Sequence, residues 1–138
     1  MADKRILDIL NQAIARELAV SIQYMWQHIV VSGVANAEFM DIIRKVAVQE
    51  MKHAEKFAER LDYFGGTPTT KPTEIKLSRE ITQILKDDIQ AEGEAIALYK
   101  QAVKLCTELD DAGTRHIFED ILVQEEDHDY TFKTLLGV

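Results

Sequence analysis

The chain has 138 residues, close to the usual length of one domain, and 46% of them are hydrophobic, which is enough for a single buried core. It carries 24 acidic against 16 basic residues, a formal charge of -8, which disfavours nucleic acid and anionic membranes as partners and suits cations. A single cysteine, Cys106, excludes a disulfide within the chain and a cysteine-rich metal site. We therefore expect one domain over residues 1–138.

The N-terminal residues Met1–Ile6 are charged and lack the apolar stretch of a secretory signal peptide. No apolar run approaches the roughly 20 residues that a membrane-spanning helix needs. These features predict a cytoplasmic protein without a membrane partner.

Apolar residues recur three and four positions apart through almost the whole chain, which predicts an all-α protein. The first helix is expected from Asp3, a good N-cap, to Gly33. The second is expected from about Asn36 to Phe64, where the glycine pair Gly65–Gly66 ends it.

Two further helices are expected in the second half of the chain. The third runs from Ser78, as its N-cap, to about Thr107. The fourth begins after Asp110 or Asp111 and runs to Leu136. The links within each helix pair are short, which makes the paired helices antiparallel neighbours.

The segment Gly65–Leu77 contains both prolines of the chain and several threonines, so it is expected to be extended. A link of this length spans on the order of 40 Å, about the length of a helix of some 28 residues. It can therefore cross the whole bundle and make helices two and three parallel. The prediction is a four-helix bundle with one long crossover between helices two and three, and an up-down-up-down bundle is the alternative.

The two halves of the sequence repeat each other at an offset of 75 residues. The residues that recur at that offset include four that can carry chemistry: Glu17, Tyr24, Glu50 and His53 correspond to Glu92, Tyr99, Glu125 and His128. Each half thus contains a glutamate, a tyrosine seven residues later, and Glu-x-x-His on the next helix. One Glu-x-x-His is common in acidic helices, whereas two matched copies are a specific signal.

The four glutamates and two histidines of this repeat fall on the inward apolar faces of the expected helices, near their middles. Glutamate is almost never fully buried unless it is paired. Two divalent cations would neutralise four carboxylates, and Glu-x-x-His places both side chains on one face to hold an ion. The pattern matches the dinuclear carboxylate site of ferritin-like bundles. The alternative is a set of surface residues placed by chance.

The sequence resembles the ferritin-like superfamily, and bacterioferritins most closely, over Asp3–Leu136. The most specific match is Gln49–Glu55, which reads QEMKHAE, and Glu17–Tyr24 is similar to the first-helix motif of the family. The resemblance implies a ferritin-like four-helix bundle with a ferroxidase centre of two iron ions in each subunit. It also implies a role for each site residue: Glu17 and His53 as terminal ligands of one iron, Glu92 and His128 of the other, Glu50 and Glu125 as bridges, and Tyr24 beside the centre.

Met51 corresponds to the methionine that ligates haem iron in bacterioferritins, one from each subunit across a two-fold axis. It lies about 100° away from the metal-facing direction of its helix. Helix one carries a second apolar face that includes Trp26 and Ile29, which predicts a homo-oligomer built from two-fold dimers. The resemblance thus implies a haem-type iron porphyrin shared by two subunits. The alternative is that Met51 only packs in a dimer interface.

Two departures from the family bear on assembly and iron transfer. The chain ends at Val138, straight after helix four, without the short fifth helix of the 24-subunit shells, which favours a cage of twelve subunits or a dimer. Lys45 and Gln49 stand where some bacterioferritins have inner-surface iron ligands. Asp88 and Asp129 are expected to support the metal-binding histidines.

The expected function is oxidation of Fe(II) by O₂ or hydrogen peroxide, in iron storage or detoxification. The resemblance also implies that the haem-type group passes electrons in, which reduces and releases iron. The alternatives are a rubrerythrin-like peroxidase, another dimetal oxidase such as an oxygenase or manganese catalase, and a structural zinc bundle. A DNA-protecting mini-ferritin is disfavoured because its iron site lies between subunits.

Overall fold

Four α-helices carry most of the structure, a computed structural model that describes residues 2–138. In chain order the helices are α1 (Lys4–Val30), α2 (Ala37–Tyr63), α3 (Ile81–Glu108) and α4 (Ala112–Leu136), with a 3₁₀ turn at Val34–Asn36. No strand occurs within residues 2–138, so the all-α prediction is confirmed. Among these residues, no helix is both long and apolar enough to cross a bilayer.

Two of the expected N-caps are confirmed by their side-chain hydrogen bonds. The Asp3 carboxylate accepts from the backbone N–H of Arg5 at 2.9 Å, and the Asp111 carboxylate accepts from that of Thr114 at 3.0 Å. Each bond satisfies a donor that the first turn of a helix leaves free.

The expected cap at Ser78 is wrong, and Asn36 is the N-cap residue of α2 as expected but makes no side-chain capping bond. α3 begins at Ile81, and the Ser78 hydroxyl instead accepts from the backbone N–H of Glu80 at 3.1 Å, which forms a local turn before the helix. Asn36 precedes α2 as expected, but its amide donates backwards to the carbonyl of Ser32 at 2.8 Å. Short polar side chains can satisfy nearby backbone on either side, so their identity alone leaves the helix start open.

Hydrogen bonds between helices show the direction in which each helix runs. From α1 to α3 the residue order is reversed along the contact: Gln27 bonds Asp88, Tyr24 bonds Glu92 and Glu17 bonds Tyr99. From α1 to α2 it is reversed as well: His28 bonds Met40 and Arg16 bonds Glu50. Both α2 and α3 are therefore antiparallel to α1 and parallel to each other. This confirms the one-crossover bundle over the up-down-up-down alternative.

The crossover, residues 64–80, lies along α1 and is held to it by hydrogen bonds. Its backbone N–H groups bond to successively later residues of α1: Thr69 to Asn11 at 2.9 Å, Thr73 to Ala15 at 3.2 Å and Lys76 to Gln23 at 2.9 Å. The Asn11 amide also donates to the Thr67 carbonyl at 3.1 Å. These bonds hold the crossover against α1 as it runs from one end of the bundle to the other.

The apolar core has two parts, one on each side of a polar layer. One cluster contains Leu10, Phe57 and Phe118, and the other contains Ile43 and Phe132. All four helices contribute side chains to both clusters. The polar layer between the two clusters is therefore held at mid-helix by apolar packing on either side.

We expect Asn11→Ala to destabilise the protein by about 1–2 kcal/mol, because it removes two hydrogen bonds that hold the crossover. Urea unfolding followed by circular dichroism measures this change. Gln12→Ala, at the adjacent exposed position, is the control and should change stability by less than about 0.5 kcal/mol. Equal effects of the two substitutions would show that the crossover does not depend on Asn11.

Candidate metal centre

Six side chains of the sequence repeat meet in the polar layer at the centre of the bundle. The four glutamates are 0% exposed and the two histidines 4% exposed. Each helix contributes at mid-length: Glu17 from α1, Glu50 and His53 from α2, Glu92 from α3, and Glu125 and His128 from α4. The structure thus brings together all the residues expected to bind metal.

Glu50 and Glu125 lie between the two histidines. The Nδ1 atom of His53 is 3.1 Å from Oε1 of both Glu50 and Glu125, and Nδ1 of His128 is 3.3 Å from the same two oxygens. Glu17 lies beside one histidine and Glu92 beside the other, at 3.6 Å from His53 and 3.8 Å from His128. The two central carboxylates are therefore shared, and each outer carboxylate belongs to one side.

The side chains form two overlapping sets of potential metal ligands. Within each set, one ligand atom from every residue lies within 4.8 Å of the others: Glu17, Glu50, His53 and Glu125 in one, and Glu50, Glu92, Glu125 and His128 in the other. Such sets of carboxylate oxygen and imidazole nitrogen suit iron, manganese and zinc.

Several polar atoms of the centre are buried without any hydrogen-bond partner. They comprise one oxygen of each glutamate and one nitrogen of each histidine: Glu17 Oε2, Glu50 Oε1, Glu92 Oε2, Glu125 Oε1, His53 Nδ1 and His128 Nδ1. Buried polar groups are normally hydrogen-bonded, because an unpaired group loses its hydrogen bonds to water and gains none in exchange, which destabilises the fold. This donor set fits divalent cations.

The outer nitrogen of each histidine is held by a glutamine. His53 Nε2 lies 2.8 Å from Gln124 Oε1, and His128 Nε2 lies 2.8 Å from Gln49 Oε1. Because an amide oxygen accepts, Nε2 carries the proton in the neutral ring, and the lone pair of Nδ1 faces the centre. The glutamines thus orient the histidines for metal binding.

The expectation that Asp88 and Asp129 support the histidines is wrong. Asp88 accepts from the amides of Gln23 and Gln27 at 3.0 and 2.7 Å, and Asp129 pairs with Lys133 at 2.7 Å. The glutamines were detectable from the sequence, because Gln49 and Gln124 obey the 75-residue offset and each precedes a metal-facing glutamate.

Two tyrosines join the halves of the centre crosswise. The Tyr24 hydroxyl donates to Glu92 at 2.7 Å, and the Tyr99 hydroxyl donates to Glu17 at 2.6 Å. Burial and the adjacent carboxylates raise the pKa of both tyrosines well above the ordinary value, so both hydroxyls keep their protons and act as donors. The sequence placed Tyr24 at the site, and Tyr99 takes the equivalent position in the other half.

Arg16 is a residue of the centre that sequence reasoning missed. Its Nη1 lies 2.7 Å from Glu125, 3.1 Å from Glu17 and 3.4 Å from Glu50, and its Nη2 lies 3.5 Å from Glu92. Its side chain is only 9% exposed. On a helical wheel Arg16 points about 100° away from Glu17, which suggests the side of the helix, but its long stem reaches back to the carboxylates.

Burial and mutual repulsion change the acidity of the glutamates. Burial and the carboxylates of Glu17 and Glu125 raise the pKa of Glu50 well above its ordinary value. Burial and the carboxylates of Glu50 and Glu125 raise the pKa of Glu92 in the same way. Burial also acts to raise the pKa of Glu125, but Arg16 and both histidines outweigh it and hold that pKa well below the ordinary value. Protons therefore occupy part of the metal-free centre.

His53 holds one of these protons. Burial acts to lower its pKa, but the adjacent carboxylates of Glu125, Glu17 and Glu50 outweigh burial and raise the pKa far above the ordinary value. Nδ1 of His53 faces these carboxylates, and it needs a free lone pair to bind metal. A metal ion must therefore displace the proton of His53.

Met51 lies outside the polar layer, in an apolar groove between α1 and α2. The groove is lined mainly by apolar side chains of both helices: Ile22, Met25, Trp26, Ala47, Val48 and Met51 among them. Met51 is 48% exposed and Trp26 47% exposed. The second apolar face expected from the sequence is therefore present, and the thioether of Met51 is accessible on it.

A family model described as the ferritin-like domain matches residues 7–138. The bacterioferritin of Desulfovibrio desulfuricans is 35% identical over 125 residues, which cover 90% of this chain and 70% of that relative.

Solved structures give the same result. An X-ray structure of the Desulfovibrio desulfuricans bacterioferritin, described with its diiron site in different catalytic states, matches with a TM-score of 0.92 and 32% identity over 97% of this chain and 79% of that one. Rhodobacter capsulatus bacterioferritin, described with a metal-free dinuclear site and a haem iron, matches with a TM-score of 0.90 and 25% identity over 99% and 86%. In sequence, in fold and in the family model it matches, this chain belongs to the ferritin-like family, among the bacterioferritins.

Proposed function

We propose that the chain binds two iron ions in its polar layer and oxidises Fe(II) to Fe(III), in iron storage and detoxification. The observation that carries this proposal is the pair of overlapping ligand sets, whose inward-facing atoms are buried without partners. In this assignment the central pair of carboxylates, Glu50 and Glu125, belongs to both ligand sets and would be shared by the two ions. The terminal ligands are Glu17 with His53 on one side and Glu92 with His128 on the other.

The surroundings of the layer suit a redox reaction of two ions. Each Fe(II) gives up one electron, so two ions with two protons reduce O₂ to hydrogen peroxide, or hydrogen peroxide to two waters. The apolar clusters on both sides keep the layer dry, and hydrogen bonds from Tyr24 and Tyr99 fix the outer carboxylates. The protons that iron displaces from His53 and the glutamates are released beside the place where reduced oxygen takes protons up.

The groove at Met51 supports a second part of the proposal. Two copies of the chain, paired by a two-fold axis across this groove, would present one methionine each to a shared haem-type group. Met51 fits this role because its thioether is half exposed on an apolar surface, which also suits a flat apolar ring. When bound, such a group would pass electrons inward and so reduce stored iron.

The central experiment is an anaerobic Fe(II) titration of metal-free protein followed by a pulse of O₂ in a stopped-flow spectrometer. We expect fast oxidation that saturates at two irons per chain. Glu50→Ala should slow it by at least about 100-fold, because it removes a bridging ligand, a larger loss than the 10–100-fold typical of outer partners.

Glu55→Ala is the matched control, since Glu55 lies exposed on the same helix and should leave the rate unchanged. Binding of two ions without fast oxidation would contradict the storage function and favour manganese, zinc or an oxygenase. Fast turnover of hydrogen peroxide without retained iron would favour a rubrerythrin-like peroxidase.

Metal binding is expected to release protons and to weaken as the pH falls. Because the pKa values of His53, Glu50 and Glu92 are raised, protons compete with metal ions for the same atoms more strongly than at ordinary side chains. Calorimetric titration with Zn²⁺ in buffers of different ionisation enthalpy measures the protons released. His53→Ala should release about one proton fewer, and His116→Ala, at an exposed position, should match the wild type. Heats that do not depend on the buffer would contradict this mechanism.

Haem titration followed by visible absorbance tests the groove. We expect saturation at one haem for two chains, with the spectrum of iron held by two thioethers. Met51→Leu should abolish that spectrum while preserving the apolar surface, and Met40→Leu on the same helix should not. An unchanged spectrum in Met51→Leu would rule out Met51 as the ligand.

A further inference from the structure

Arg16 is the feature of the centre that breaks its internal symmetry. The tyrosines, glutamates, histidines and glutamines of the layer all recur at the 75-residue offset, but the position equivalent to Arg16 is Ala91. The guanidinium occupies the space beside that alanine, where Nη2 donates to the Ala91 carbonyl at 3.2 Å. One half of the chain therefore supplies a cation that serves both halves.

The guanidinium contacts all four carboxylates, and it bonds mainly to oxygens other than the unpartnered ones. Its hydrogen bonds go to Glu17 Oε1, Glu50 Oε2 and Glu125 Oε2. Oε2 of Glu17 and Oε1 of Glu50 and Glu125 remain without partners, as do Nδ1 of both histidines. Arg16 can thus keep its bonds while metal ions use the remaining atoms.

We infer that Arg16 is a built-in counter-charge that stabilises the metal-free bundle and weakens metal binding, so that the centre passes iron on. This inference deepens the proposed function and rests on it. In the metal-free state the guanidinium offsets part of the repulsion among four buried carboxylates. In the loaded state it repels every ion that enters the layer, since it lies within 3.5 Å of an oxygen of each carboxylate.

The charges of the layer give this inference its direction. Four carboxylates and one guanidinium sum to −3, so two divalent ions bring the layer to +1, whereas without Arg16 they would bring it to zero. Oxidation of both ions to Fe(III) adds two more positive charges. Arg16 therefore disfavours retention of the oxidised ions, as a centre that treats iron as substrate requires.

The test compares metal-free wild type with Arg16→Met, which keeps an unbranched apolar stem and removes the charged guanidinium. Titration with Zn²⁺ by calorimetry measures affinity, and thermal unfolding without metal measures stability. We expect Arg16→Met to bind Zn²⁺ at least about tenfold more tightly and to unfold at a lower temperature when metal-free. A merely structural role for Arg16 would lower affinity and stability together.

Two further variants serve as controls. Arg16→Lys keeps the charge but loses the fork of the guanidinium, and it should bind Zn²⁺ less tightly than Arg16→Met does. Arg44→Met removes an exposed charge from the neighbouring helix and should change neither quantity. If metal-free Arg16→Met does not fold, its Zn²⁺ affinity is measured by chelator competition on protein refolded with Zn²⁺, and only tighter binding there supports the inference.

Unchanged or weaker Zn²⁺ binding in Arg16→Met would overturn the inference and leave the proposed dinuclear site intact. A wild-type protein that binds no metal in the layer would overturn both.

Discussion

The burial of four carboxylates in one layer is the constraint on which the rest of the structure depends. A buried carboxylate is costly unless a counter-charge and hydrogen bonds accompany it. In the metal-free bundle those partners are Arg16, the protonated His53 and the hydroxyls of Tyr24 and Tyr99. The same constraint supports the proposed function, because the remaining negative charge would attract divalent cations to the buried layer.

The apolar clusters offset the cost of burying this layer, because their packing holds the helices together on both sides of it. Phe57 packs against Tyr99 and Phe118 with ring centroids 5.4 and 4.8 Å apart, and Tyr24 meets Phe132 edge to face at 5.5 Å. Each tyrosine therefore has its ring in an apolar cluster and its hydroxyl in the polar layer. Ring packing fixes the position of the hydroxyl, and the hydroxyl in turn fixes a carboxylate of the opposite half.

The long crossover completes the geometry by making α2 and α3 parallel. With this topology the two helix pairs, α1 with α2 and α3 with α4, present equivalent residues to one centre. That is why residues 75 positions apart occupy matching places, with Glu50 and Glu125 lying between the two histidines. Arg16 is an exception to this equivalence, because only the first half supplies it. Its single positive charge leaves the four carboxylates with a formal net charge of −3.

The sequence by itself determined the four helices, the crossover, the six inward carboxylates and imidazoles, and the apolar face at Met51. These features follow from periodicity, from proline-rich extended chain and from a repeat, all of which are local or arithmetic properties of the sequence. The resemblance to bacterioferritins added the expected arrangement of terminal and bridging residues, which stays a prediction; the structure shows that Glu50 and Glu125 lie close to both histidines.

Only the tertiary structure decided which groups surround that centre. Arg16 lies about 100° from the metal-facing direction of its helix. Its flexible stem can reach several neighbours, and the charges around it decide which of them the guanidinium contacts. Asp88 faces inward as expected but meets two glutamines of α1, while Gln49 and Gln124 reach the histidines from the facing helix. Such pairings depend on how helices distant in sequence are rotated and spaced against each other, and no single helix carries that information.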